Sequence, residues 1–458
     1  MKNVVIIGSG LAGIGAAWRL QQENENGAPV TYTLIEKESR AGGLCRTEQD
    51  GDFLFDYTGH LLHFRTETFR ELVFSRIGSK LEQRNRSAWI YSKKVYTRYP
   101  FQANLFGLPA EVVADCIYEY SRQYFKEKKG EIRTFEDWIR AYFGDGIAAH
   151  FMIPYNSKLY KRHPRDLTPD CTGRFVPSSN LKLLLMGALS DKGKELGYNS
   201  HFFYPRHGGI ESMVKGLVSG LGDINLNESV DSIDTSRKLI TTSRRRQIPY
   251  DFIISTQPLP VLVNSIEGDV TEMNDAARKL RHVSVLNINL GVRGDLGDRH
   301  WIYVPEDEFI FHRLGFPHNF SDFMAPPDHG SIYVEISYDP HKGIDVEWAR
   351  RKTVEDLIRM GIISSEDQIV AEKTLDIPYG YVIFNSDRPK ALDTITGQLE
   401  DMHIYSAGRF GSWEYSSMED AFLLGAKAAE DIFSRHVRLS ELDQRIALDS
   451  PNRENQGS

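Results

Sequence analysis

The sequence predicts an α/β fold in which a Rossmann-like domain is interleaved with a mainly helical segment and an antiparallel β-sheet. Three observations predict it. Val4-Val5-Ile6-Ile7 is a fully apolar run that breaks into Gly8-Ser9-Gly10-Leu11-Ala12-Gly13, and Ile14 to Gln22 then has an amphipathic helical pattern. A second apolar run, Tyr32 to Ile35, ends on Glu36. Far from this opening, residues from about 104 to 195 read as helical and several β-rich runs gather between 280 and 340.

The opening elements have separate tasks. A strand buried on both faces reads as a continuous apolar run. Gly8 allows the tight turn, Gly10 lets backbone approach a pyrophosphate, and Gly13 lets helix and sheet pack closely. The helix N-terminus offers unpaired N–H groups and a positive dipole end to phosphates. Glu36, 23 residues beyond Gly13, stands where an acid accepts ribose hydroxyls. Strand, turn, helix, strand and acid together predict dinucleotide binding. The following run, Glu36-Lys37-Glu38-Ser39-Arg40-Ala41-Gly42-Gly43-Leu44-Cys45-Arg46-Thr47, resembles the extended FAD fingerprint of the amine-oxidase-like flavoproteins. That resemblance brings the glycines close to the cofactor and the arginine near its ribose and phosphates. FAD, not NAD, is the expected resident.

Composition narrows the class. A chain of 458 residues, 41% hydrophobic and 26% charged, is expected to form two or three globular domains. A net charge of −8 argues against nucleic-acid binding, and Arg244-Arg245-Arg246 reads as a solvated turn. Cys45, Cys116 and Cys171 are odd in number and widely spaced, which suits a reducing cytoplasm and no metal site. Cys45 reads as packing near the cofactor. The chain opens directly into a strand with no leader, and no apolar run reaches the roughly 18 residues of a membrane span. Leu181 to Leu189 is expected to be a buried helix. A homo-oligomer is compatible with all of this.

In order, Phe53 to Asp56 reads as a strand leading to Tyr57-Thr58-Gly59-His60-Leu61-Leu62-His63. Its two histidines suit ligand, acid–base or structural roles alike. Residues 66 to 86 look helical, and 88 to 97 look like a hairpin. Pro100 biases Tyr99 to extended backbone, and the aromatics around it suit either a flat ligand or a core. Phe135 to Phe143 suggests a helix, leading to the mixed run Phe151-Met152-Ile153-Pro154-Tyr155-Asn156-Ser157-Lys158-Leu159-Tyr160. Near 200 the chain is expected to return to the cofactor domain, with a strand through Phe202-Phe203-Tyr204 and a helix from about Glu211. Ile224 to Ile233 and Tyr250 to Ser255 read as strands.

Val283 to Val292, Trp301 to Val304, Ile310 to Arg313 and Ile332 to Ser337 suggest an antiparallel sheet walling a substrate site. Residues 346 to 361 form an amphipathic helix, Met402 to Ala407 the last core strand, and Met418 to Ser434 a closing helix. The polar tail from about 449 is expected to be disordered. The expected division is 1–65, 196–265 and 395–436 for cofactor binding, 66–195 for a helical cap, 266–394 for the sheet domain, and 437–458 for the tail.

With these motifs in hand, the chain resembles the eukaryotic-type UDP-galactopyranose mutases from the N-terminus to about residue 436. Tyr99, Phe101 and Gln102 in Tyr-Pro-Phe-Gln resemble the segment whose tyrosine stacks on uracil. Phe151 and Asn156, with Tyr155 between them, resemble the opposing aromatic face and a uridine contact. Two rings would bury a flat base while an amide reads its edge. Trp301 matches an aromatic at the sugar-nucleotide site. Arg313, in Phe-His-Arg, and Arg409, in Gly-Arg-Phe-Gly-Ser-Trp, match two arginines that hold the diphosphate; guanidinium forks suit phosphate oxygens. Tyr415 matches a further diphosphate contact, and Tyr381 is placed at the same substrate site. His60, after Gly59, matches a histidine on a mobile loop above the flavin. Toward the cofactor, the resemblance adds Leu11, Ala12, Lys37, Gly43, Leu44, Arg46, Gly59, Val230, Gly408, Arg409 and Met418.

Several positions depart from that pattern. Phe320 and Ile383 stand where tyrosines are expected, Tyr160 replaces a tryptophan beside the uridine site, and Glu414 replaces a base. The segment from Tyr415 to Asp420 is also shorter. Two lost hydroxyls remove about 1–3 kcal/mol of hydrogen bonding unless compensated.

The resemblance implies interconversion of pyranose and furanose forms of a UDP-galactose-like sugar nucleotide through a flavin N5–sugar adduct. A covalent intermediate divides one hard displacement into easier steps. Arg313 and Arg409 would stabilise charge on the departing diphosphate, and His60 would position the flavin or assist proton transfer. Reduced FAD would be the active form, with NAD(P)H open as reductant. Two rivals stand beside this reading: an FAD oxidase or desaturase, which needs an apolar tunnel, and a sugar-nucleotide-binding flavoprotein without catalysis.

Overall fold

The computed structural model describes residues 1–126, 130–172, 176–191 and 200–437. They pack as two units: residues 1–43, 214–277 and from 391 onward form the first, and 44–213 with 278–390 the second.

The first unit is built on a five-stranded parallel sheet. Its order is Ile404–Ser406, Phe252–Ser255, Lys2–Ile7, Val30–Ile35, Ile224–Asn225. Val4 pairs with both Phe252 and Tyr32, so Val4 to Ile7 are buried on both faces, as their apolar run predicts. Helix Leu11–Glu25 packs on helix Met418–Ile432 at backbone contact: a Cβ on Gly15 would stand 2.1 Å from the Phe422 oxygen. The α/β, Rossmann-like expectation holds. The strand expected over 224–233 is two. Ile224–Asn225 joins the parallel sheet and Val230–Asp234 a separate three-stranded antiparallel one. The cause is a polar turn between them, in which Asn227 has φ 55 and buried Glu228 accepts from Thr242 Oγ1 at 2.6 Å.

The second unit carries a seven-stranded sheet ordered Ile369–Ile383, Arg281–Arg293, His329–Tyr338, Arg313–Gly315, Trp301–Tyr303, Ala88–Ser92, Val95–Arg98. It is antiparallel except where Trp301–Tyr303 runs parallel to Ala88–Ser92. Alternation gives the sheet two faces. Ile288, Leu290, Ile302, Leu314, Val334 and Ile336 share a core with Ala349 and Leu357 of helix Val346–Arg359. The other face carries Tyr303, Arg313, Tyr333 and Glu335, which positions the candidate site.

Three expectations about this sheet need correction. The 88–98 hairpin is part of it. The strand expected at 310–313 lies at Arg313–Gly315, because the preceding segment folds back and Val304 N donates to His312 O at 2.9 Å. Ile369–Ile383 was not foreseen as a strand; charged residues interrupt its alternation, and the register shifts opposite Pro378.

The helical segment packs Cys116, Ile139, Phe143 and Leu184 into one core. Leu181–Leu189 is a helix but not a buried one: Leu184 and Gly187 face inward, while Met186 is 52% and Leu189 81% exposed. The side where Gly187 meets the Ala103 carbonyl is covered. The helix expected over 66–86 ends at Ile77, and Leu81–Asn85 pairs with His201–Pro205. That pairing also takes residues 201–205 away from the parallel sheet. The tail expected to be disordered lies outside the described residues. Among those described, no helix is long and apolar enough to cross a membrane.

Candidate functional site

In the first unit the opening glycines form a cradle. Gly8 has φ 97 and a Cβ there would stand 2.4 Å from Thr256 Oγ1; a Cβ on Gly13 would stand 1.8 Å from the Gly8 oxygen. Beside Gly10 the nearest atom to such a Cβ is Gly43 Cα at 3.9 Å. Gly10 therefore keeps a space open, whereas Gly8 and Gly13 keep one closed. Gly42 N donates to Ser9 O at 2.9 Å and locks the two glycine segments side by side. Gly10 caps the 15-residue helix without a side-chain hydrogen bond, so Leu11, Ala12 and Gly13 present the helix's first N–H groups, a natural phosphate site. Buried Glu36 accepts from Ser9 N at 2.7 Å and Ser9 Oγ at 2.8 Å on one oxygen, and from Glu38 N at 2.9 Å on the other. A carboxylate offers about four acceptor positions, and among the described residues three are seen to be taken. The cradle fits a dinucleotide.

The other first-unit candidates spread around it. Val230 is buried at the start of its strand, and Lys37 is exposed with Nζ 3.7 Å from Glu38. Gly408, with φ 84, meets Ala12, where a Cβ would approach that residue's Cβ to 2.5 Å. Arg409 Nη1 donates to Ser416 O at 2.9 Å, and its guanidinium lies 4.5 Å over the Tyr415 ring. Met418 opens a helix capped reciprocally by Ser417 and Asp420. Leu44 and Arg46 belong to the second unit, where Arg46 lies 5.0 Å over Tyr57.

The second unit gathers the substrate candidates on the polar sheet face. Arg313 pairs with Glu335 at 2.6 Å from Nη2 and 2.8 Å from Nε. Tyr381 Oη donates to the second Glu335 oxygen at 3.2 Å and accepts from Arg313 Nη2 at 3.4 Å. Burial alone would raise the Glu335 carboxyl; Arg313 and then His312 overcome this and hold it down at about 2. Burial pushes His312 down to about 4, against the pull of Glu335. Buried Glu335 thus stays ionised beside a cation.

The aromatic residues are arranged differently from a simple sandwich. Tyr99 meets Tyr303 with the rings tilted at 32° and their centroids 4.8 Å apart, and Arg86 lies 5.3 Å over the Tyr99 ring. Phe151, 4% exposed, lies parallel to Phe101 at 4.9 Å and Tyr155 at 5.4 Å. Its surface is spent on packing, so it offers no open platform opposite Tyr99. The half-buried rings are Tyr99, Tyr155 and Tyr303. Phe101 and Gln102 are buried, with Gln102 Nε2 donating to Pro177 O at 2.7 Å. Asn156 Nδ2 is turned to Met152 O at 2.7 Å. Buried Tyr160 meets Tyr381 edge-on. Trp301 is buried, with an indole N–H unpaired among the described residues.

Of the two expected hydroxyl losses, Phe320 is a core ring packed on Phe202 and Tyr204. Ile383 is core as well, but Tyr381, two residues earlier on the same strand face, brings a hydroxyl to Arg313. Sequence reading missed Glu335, Tyr303 and Tyr333. The run Tyr333-Val334-Glu335-Ile336 carried a signal: strict alternation puts its acid beside a tyrosine on one face of the strand.

The fold has counterparts among known proteins. The chain superposes on a crystal structure of reduced UDP-galactopyranose mutase with TM-score 0.88 and 26% identity, covering 95% of this chain and 96% of that one. A putative protoporphyrinogen oxidase from Exiguobacterium sp. 255-15 shares the fold at TM-score 0.72 and 16% identity, over 94% and 98% of the chains. The L-amino-acid oxidase of Crotalus adamanteus is 31% identical over 109 residues, 23% of this chain and 20% of that one. The chain spans about a fifth of the length of the curated relatives it matches. The family described as flavin containing amine oxidoreductase matches residues 11–433. A glycine cradle that fits a dinucleotide and a family match across nearly all of the chain lead to one assignment: it belongs to the flavin-containing amine oxidoreductases.

Proposed function

We propose that the protein is an FAD-dependent mutase that interconverts the pyranose and furanose forms of a UDP-sugar. The observation that carries this reading is the likeness to UDP-galactopyranose mutase over 95% of the chain, together with a partly buried arginine set among tyrosines on the polar sheet face. Reduced flavin, when bound, supplies the nucleophile for such a ring isomerisation, and NAD(P)H is the proposed reductant.

The chain's own residues bind, orient and neutralise. Leu11, Ala12 and Gly13 N–H groups would hold the cofactor's phosphates, and Glu36 its ribose. Tyr99, Tyr155 and Tyr303 would cover the uracil, with the Asn156 carbonyl oxygen reading its edge. Arg313, oriented by Glu335 and Tyr381, would bind the diphosphate and stabilise charge on it as it departs. Arg409 and Tyr415 keep a phosphate-contacting assignment from the resemblance, as does His60 its place beside the reacting centre. The indole N–H of Trp301, which has no partner among the described residues, would serve the sugar nucleotide.

The test is an assay of dithionite-reduced protein with UDP-galactose, following ring-isomer exchange by chromatography and flavin oxidation by absorbance. Exchange without net oxidation supports the mutase reading. Net oxidation of an amine without UDP binding would replace it with an oxidase. Arg313→Ala is expected to abolish UDP binding; unaltered binding would remove Arg313 from the site.

A further inference from the structure

His60 hangs between two backbone anchors. After it, Leu62 N donates to Phe203 O at 3.1 Å and Phe203 N to Leu62 O at 2.9 Å. Before it, Thr58 N donates to Asn287 Oδ1 at 3.2 Å. Thr58 has φ 68, a left-handed conformation that is an outlier for a β-branched residue and persists only where its surroundings impose it.

Asn287 is built to impose it. It is fully buried in the middle of strand Arg281–Arg293, a place where asparagine is disfavoured. Its Nδ2 donates to Val334 O at 3.1 Å, which fixes the orientation of the amide. Buried Asn289 donates to Asn287 Oδ1 at 2.9 Å and to Lys373 O at 3.2 Å. Oδ1 thus points at the loop with its position set from neighbouring strands on both sides. Tyr333 closes the space behind the next residue, because a Cβ on Gly59 would stand 2.4 Å from its hydroxyl. Two buried asparagines whose amides end on a loop N–H require an explanation beyond packing.

We propose that Asn287 is a positioning residue for His60: it holds Thr58 in the left-handed conformation and thereby fixes the backbone from which His60 projects. The consequence for catalysis rests on the mutase reading, while the anchor itself does not.

Hydrogen–deuterium exchange on the flavin-loaded protein tests the anchor. The wild-type Thr58 amide is expected to exchange at least about 100-fold more slowly than unstructured chain. Asn287→Leu, which lacks the acceptor, should speed exchange over 57–61 by about tenfold and leave 201–205 unchanged. Asn287→Asp, whose fully buried carboxyl is expected to be protonated, so that its O–H replaces Nδ2 toward Val334 O while the other oxygen still accepts from Thr58 N, should stay within about threefold of wild type. An unprotected wild-type Thr58 amide, or a loop unmoved in Asn287→Leu, overturns the proposal. If Asn287→Leu does not fold, the wild-type amide and Asn287→Asp decide it.

Kinetics test the positioning role. Asn287→Leu should lower kcat for ring-isomer exchange about tenfold with UDP affinity unchanged, and cost nothing further in a His60→Ala background. Additive losses would mean a structural role and overturn it. If wild-type protein shows no ring-isomer exchange, the mutase reading fails, and deuterium exchange still decides the anchor.

Discussion

Arg313 and Glu335 are register partners on adjacent antiparallel strands, and both guanidinium contacts, at 2.6 and 2.8 Å, fall on one carboxylate oxygen. The second oxygen takes Tyr381 and faces His312 Nε2 at 3.4 Å. The carboxylate is fully buried and the arginine side chain 21% exposed. Losing one partner of a buried pair leaves the other uncompensated. Glu335→Gln is therefore expected to lower the unfolding free energy by roughly 3 kcal/mol, read by urea denaturation. The Glu335 pKa is depressed from 4.5 to about 2, so its stabilisation is present above 4.5 and lost as pH falls toward 2. The gap between wild type and variant should narrow over that window. A gap that stays constant on acidification would contradict an ionised Glu335.

Lys158 gives a pH dependence of the opposite kind. Its ammonium is buried and donates to Val304 O at 3.1 Å and Glu306 O at 2.7 Å, tying helix Ile153–Tyr160 to the chain that leaves Trp301–Tyr303. Burial, and secondarily Lys161, pushes its pKa from 10.5 down to about 7. Between those values the unfolded chain binds the extra proton, so this group makes stability rise with pH. Lys158→Met should remove that rise: the stability difference, wild type minus variant, should grow from pH 7 to 9.5. A flat difference would mean that Lys158 is charged throughout.

Much of this was legible in the sequence, for definite reasons. The opening cradle was legible because each glycine answers a local geometric demand that no other residue meets, and Glu36 stands at a fixed distance along one βαβ unit. The polar sheet face was half legible. Arg313 and Tyr381 came from motif likeness, but Glu335 binds Arg313 from a strand 22 residues away, and only strand register brings them together. Phe151 read as an open platform because a sequence cannot show that Phe101 and Tyr155 already cover it. Leu81–Asn85 read as helix because its partner strand lies more than a hundred residues later. Local pattern carried the local features; long-range pairing decided the rest.

The glycine cradle separates two kinds of failure. A methyl group on Gly13 would collide with backbone, 1.8 Å from the Gly8 oxygen, whereas one on Gly10 has nothing closer than 3.9 Å. Gly13→Ala is expected to destabilise the fold itself and lower the melting temperature of the apoprotein. Gly10→Ala should fold normally but bind flavin at least about tenfold more weakly, because its methyl fills space kept for a ligand. Flavin absorbance per protein, with and without added FAD, and apoprotein melting distinguish the two. Equal flavin content in Gly10→Ala and wild type would move the phosphates elsewhere.

Tyr333 is confined by two glycines, and they predict opposite responses to one compensating change. A Cβ on Gly59 would stand 2.4 Å from the Tyr333 hydroxyl but 3.2 Å from Cζ and 3.7 Å from Cε1. A Cβ on Gly315 would stand 2.3 Å from Cε1 and 2.4 Å from Cζ. The first clash is mainly with an oxygen that phenylalanine lacks; the second is with the ring itself. Both substitutions should destabilise the protein alone. Adding Tyr333→Phe should recover most of the loss in Gly59→Ala, a coupling on the order of 1 kcal/mol, and little of it in Gly315→Ala. Thermal melting of the two single variants and two double variants reads this directly. Equal rescue of both glycine variants would mean that the ring relaxes as a whole, and that Gly59 is not held against the hydroxyl in the way these contacts require.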